Sequence, residues 1–127
     1  VRRLGESGGA AIEMTLAVTG LLLLIVSFGA GALWIHSQQV ASDAAQSAVL
    51  VVAADGGTVA AGDAEARQQL SELTPRLGDP TIVGVKGDHQ ASVDIRAHTV
   101  RILGVSLPVH AHSTAPVERF RQAAQQP

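Results

Sequence analysis

Residues 8–35 read GGAAIEMTLAVTGLLLLIVSFGAGALWI, and the rest of the chain is arranged around them. From Met14 to Ile35 no side chain ionises, and about 20 apolar residues at a rise of about 1.5 Å each cross a hydrocarbon core roughly 30 Å thick. The stretch reads as a transmembrane helix. Glu13 stands at its head between Ile12 and Met14. A carboxylate on the lip of a bilayer costs free energy unless paired, which makes Glu13 a functional candidate.

Arg2 and Arg3 precede the run, and no Lys or Arg follows it until Arg67. This bias places the N-terminus in the cytoplasm and the remainder outside, at a single-pass position in the cell membrane. Trp34, at the outer end, suits the headgroup level. Ser27 and Gly31 form a small-xxx-small pair on which another helix backbone could pack.

Gly8 is followed by Gly9, Ala10, Ala11 and Ile12, then by Glu13 and the long apolar run, with the basic leader VRRLGESG in front. This arrangement resembles the cleavage site of type IV prepilins. Within that group GGAAIEMTLAV is similar to the TadE-like minor pilins and pseudopilins of tight-adherence (Flp) pili, and SDAAQSAVLVVAADGG and LPVHAHSTAPVERF resemble the later parts of such proteins from high-GC bacteria. Met14 stands where that family usually has Phe, and Thr19-Gly20 where many members carry a proline.

The resemblance implies removal of residues 1–8 by a prepilin peptidase, with Gly9 as the new N-terminus. It implies as partners the lipid bilayer, other pilin or pseudopilin subunits and a pilus assembly platform. It also implies that Glu13 pairs with the free amine of a neighbouring subunit and so guides assembly, the product entering surface pili. Such a pair is worth far more in low dielectric than in water.

Past the membrane, HSQQVASDAAQSAVLVVAAD contains no Pro or Gly and is rich in alanine, the strongest helix former. One helix from about residue 10 to 54 is predicted, stopped by Asp55-Gly56-Gly57, with Val40, Ala44, Ala48 and Val52 as its apolar stripe. A second helix over 58–73 is predicted, capped by Thr58 or Asp63 and ended near Pro75. Its apolar face is Ala66, Leu70 and Leu73, continued by Leu77.

From Thr81 the pattern alternates. TIVGV and ASVDIRAHTVRI read as strands joined at Lys86-Gly87-Asp88, and a third strand follows a turn at residues 103–106 and runs to about Phe120. The predicted class is α+β: a long transmembrane and stalk helix, a second helix and a three-stranded antiparallel meander, a pilin-like layout. The divisions are a leader 1–8, the helix 9–54, an extracytoplasmic domain 55–120 and a flexible tail 121–127.

Of 127 residues none is cysteine, and the aromatic rings are Phe28, Trp34 and Phe120. Any core outside the membrane must then be aliphatic and unstapled, which predicts marginal stability alone. A net charge of −2 gives no electrostatic case for nucleic acid. No nucleophile, base or carboxylate pair has catalytic spacing, and Gly56-Gly57 reads as a helix stop rather than a phosphate loop. The chain is read as non-enzymatic, without cofactor or small-molecule substrate.

His98, His110 and His112 share the polar side of the last two strands. His-x-His on a strand can hold zinc or copper, and a solvated strand face explains the same pattern. Two other functional readings stay open. Ala30-Gly31-Ala32 after an apolar stretch fits a secretory signal peptide releasing a soluble binding protein that begins at Leu33. An unprocessed, membrane-anchored surface domain fits as well.

Overall fold

The computed structural model describes residues 6–73 and 77–119. Residues 1–5 of the predicted leader, Pro75, Phe120 and the 121–127 tail lie outside the described residues. The chain divides into two units, with the boundary between Leu33 and Trp34.

Helix α1, Glu6–Ala53, is continuous over 48 residues. It starts about four residues earlier than predicted and takes in Gly8 and Gly9 despite their poor helix propensity. In the first unit every residue from Gly8 to Gly29 is exposed, with Leu21–Leu24 all more than half open. A helix apolar on all sides is a membrane or deep-core helix, and α1 is long and apolar enough to cross a bilayer. Its hydroxyls suit that setting. Thr15, Thr19 and Ser27 each donate to the carbonyl four residues back, those of Ala11, Thr15 and Leu23, at 2.7–2.8 Å.

The second unit begins inside α1. Ser37, Ala41, Ala44, Ala45, Ala48, Val49, Val52 and Ala53 are buried, while Val40 sits at the margin of the core. This stripe is broader than the predicted spacing of four. A step of four residues turns the helix by about 400°, so a straight face needs alternating steps of three and four. α1 ends at Ala53, just before the expected stop, and Gly56 has a φ of 74°, open to glycine without steric cost. The last turn holds no basic residue, and Lys86 supplies one from elsewhere: its Nζ donates to the carbonyls of Ala54 at 3.2 Å and Gly57 at 2.6 Å.

Helix α2, Val59–Ser71, is capped by Thr58, whose side chain accepts from the Ala61 N–H at 3.1 Å. Asp63, the other cap considered, instead pairs with Arg67 at 2.9 Å. Gly62, Ala66 and Leu70 make its buried side, with Leu73 and Leu77 continuing the core. Gly62 allows the closest approach in the core: a Cβ there would lie 2.3 Å from Val52 Cγ2 and 3.0 Å from the Ala48 carbonyl oxygen.

Strands β1 (Thr81–Lys86), β2 (Gln90–His98) and β3 (Pro108–Pro116) form an antiparallel sheet in that order. Its inner face is Ala91, Val93, Ile95 and Ala97 with Val109, Ala111 and Ala115, covered by α2 and the Ser37–Ala53 stripe of α1 in one apolar cluster. More than half of the buried apolar residues are alanine, and none among the described residues is aromatic.

β2 stops at His98, short of the predicted Ile102, because the next rung is only half made, the Thr99 hydroxyl standing in for its carbonyl. The Thr99 N–H donates to Leu107 and its hydroxyl accepts from the Leu107 N–H. A small second hairpin then closes at the Ile102–Val105 bridge, with Leu103 and Gly104 at φ 51° and 82°.

Candidate functional site

The head of α1 carries the processing and assembly candidates. Gly8 and Gly9 lie on the open helix with no atom within 4 Å of where a side chain would begin. Each glycine costs a helix about 1 kcal/mol relative to alanine, which makes this first turn a weak one. Glu13 is exposed one helical turn after Gly9 and makes no hydrogen bond or ion pair among the described residues.

Four residues turn a helix by about 400°, so Gly9 and Glu13 share a face about 6 Å apart in rise. A side chain on a helix leans toward the N-terminus. An ammonium created at Gly9 would sit on the positive end of the helix dipole, an unfavourable place that a carboxylate offsets. A shallow groove lined by Ala11, Met14, Thr15, Val18 and Thr19 lies on the side of the helix away from Glu13.

Ser27 and Gly31 lie four apart on the same helix. The Ser27 hydroxyl is turned down onto Leu23, and nothing stands within 4 Å of a Cβ at Gly31. The four-residue row runs back through Leu23, Thr19, Thr15 and Ala11 and, drifting about 40° at each step, winds to the far side of the helix.

The outer sheet face brings together a different group. Register places Asp94 opposite His112 and Arg96 opposite His110. Asp94 lies 3.0 Å from Arg96 Nε through Oδ1, and its Oδ2 lies 3.0 Å from His110 Nε2 and 3.5 Å from His112 Nδ1. The hydrogen bond from His110 holds the Asp94 carboxyl below the usual carboxylate range; partial burial opposes this, and the charges of His110 and Arg96 add to it.

Of the three histidines read as possible metal ligands, the structure gathers His110 and His112 on Asp94, with His98 outside that set. Among the described residues no three His, Cys, Asp or Glu side chains form a group able to hold a metal ion. The cluster acts instead as a charge-balanced tie between β2 and β3. Asp94 was visible only as one polar position of an alternating strand, because its role depends on the register.

Two side chains of α1 serve the free edge of β3. Trp34 Nε1 donates to the Pro108 carbonyl at 2.9 Å, and one turn later Gln38 Oε1 accepts from the His110 N–H at 3.0 Å. They cover part of an edge that would otherwise invite pairing. Trp34, expected as a headgroup-level ring, thus also fixes the end of the sheet.

Comparison with protein-family models, with curated proteins and with solved structures finds no match to this chain.

Proposed function

We propose that the chain is a TadE-like minor pilin or pseudopilin of a tight-adherence pilus, non-catalytic, inserted with its N-terminus in the cytoplasm and cleaved after Gly8. The observation that carries this reading is the Gly8-to-Glu13 spacing at the head of a single helix that runs on from an apolar span into the core of a small α+β unit. Its partners are the lipid bilayer, a prepilin peptidase, and other pilin-like subunits with their assembly platform. Glu13 pairs with the Gly9 ammonium of a neighbour, and the small pair Ser27 and Gly31 offers a surface on which a helix backbone can pack.

The test is Glu13→Gln, which keeps the shape and removes the charge. Insertion and leader removal are expected to persist, since the leader and Gly8 are untouched and a neutral side chain enters lipid more cheaply. Recovery in complexes with the other pilus components is expected to fall, because the neighbour's amine loses its partner at low dielectric. Equal recovery of mutant and wild type would remove the assembly role from Glu13.

A second reading is favoured by one observation. The compact unit begins at Trp34, one residue past the N-terminus that cleavage after Ala32 would leave. A secreted binding protein released there would keep the Trp34 and Gln38 bonds.

A further inference from the structure

The connection between β2 and β3 carries apolar side chains that the core does not use. Leu103 is 75 % exposed and Val105 61 %, with Val100 also open. A two-residue turn with both residues at positive φ is normally filled by Asn, Asp or Gly. Here Leu103 occupies the first such position at φ 51°. A leucine held in a conformation it disfavours, with its side chain in solvent, points to a function for that side chain.

The position of this tip in the second unit says what it meets. β2 starts near the end of α1, where Glu118 donates to the Ala53 carbonyl and Lys86 to Ala54, and it finishes at His98 opposite Pro108, which Trp34 holds. The 99–107 connection therefore leaves the sheet at the Trp34 end. Trp34 is the last residue but one of the apolar run, which closes at Ile35. The charge agrees: Arg101 is exposed on the connection, and no Asp or Glu occurs from Ile95 to Val117.

We infer that the β2–β3 connection, with Leu103 and Val105 at its tip and Arg101 beside them, is a second lipid-contacting element that enters the headgroup region of the leaflet met by the Leu33–Trp34 junction. Apolar side chains with an adjacent cation suit that region, the cation attracted by anionic headgroups. This contact rests on the reading that α1 crosses the bilayer.

The chain has no native cysteine, so single cysteines can carry an environment-sensitive fluorophore in the full-length protein. Three sites suffice in vesicles of phosphatidylethanolamine and phosphatidylglycerol containing shallow nitroxide-labelled lipid. They are Val105→Cys at the tip, Leu22→Cys in the span, and Asp88→Cys at the opposite sheet end, where that side chain is 91 % exposed. The expected result is lipid quenching at 22 and at 105 several-fold above that at 88. Quenching at 22 with position 105 no more quenched than 88 would overturn the inference and leave the span intact. No quenching at 22 would overturn both. Adding Leu103→Asn to the Val105→Cys protein suits the turn, so circular dichroism should be unchanged while quenching at 105 falls at least twofold; unchanged quenching would deny Leu103 its lipid role.

Discussion

Gly62→Ala sets two effects of opposite sign against each other. Gly62 lies within α2, where alanine is favoured over glycine by about 1 kcal/mol. The added methyl, however, would meet Val52 Cγ2 at 2.3 Å and the Ala48 carbonyl oxygen at 3.0 Å. Val52 is fully buried and Ala48 O belongs to the α1 backbone, so neither can retreat without moving a helix. Overpacking of this kind costs about 1–3 kcal/mol. The clash is expected to win, with a net loss of up to about 2 kcal/mol and a fall in Tm of about 4–8 °C for each kcal/mol in a unit of this size. The assay is thermal unfolding of the full chain in detergent, followed by Trp34, the only tryptophan and one bonded to Pro108 in the folded unit. In a double-mutant cycle, Val52→Ala removes the nearest obstacle, so the double variant should be less destabilised than the two single losses added together. A Gly62→Ala protein that melts several degrees higher than wild type would show that α2 does not pack on α1 at this distance.

Acid should weaken the sheet through Asp94. Its folded pKa lies below the usual value, so its contribution is present above the unfolded pKa of about 3.9 and is lost as pH falls through the lower folded value. Asp94→Asn should therefore flatten the acid limb of a Tm-against-pH curve below about pH 4, and cost about 0.5–1 kcal/mol at neutral pH, as exposed pairs do. Lys86→Met keeps the apolar stem but takes the ammonium from the end of α1. A loss of about 1 kcal/mol is expected, seen by hydrogen exchange as faster opening of residues 50–53 with β2 protection unchanged.

The elements were legible where one local cause sufficed. The alternation of Val93, Ile95 and Ala97 with Asp94, Arg96 and His98 gave β2 its two faces, Thr58 and Gly56 marked helix ends, and the run from Met14 to Ile35 gave the span. Less was legible where partners lie far apart in sequence. The Asp94–His110–His112 cluster depends on the register, and Trp34 and Gln38 find β3 only through the tertiary fold. The close approach at Gly62 had no local sign, since a glycine in a helix reads first as a weakness. The turn at Leu103-Gly104 was expected near that place, but leucine gives no hint of positive φ. Within the candidate site, Gly8, Gly9 and Glu13 came from spacing and resemblance.

The most direct test of the central claim is the intact mass of the mature protein, isolated from the membrane fraction of cells that also make a prepilin peptidase. A chain beginning at Gly9, lost when that peptidase is inactivated, is the expected result. A chain beginning at Leu33 and recovered outside the membrane would establish the secretory reading instead, and a membrane-bound chain that keeps the residues before Gly9 would leave only an anchored surface domain.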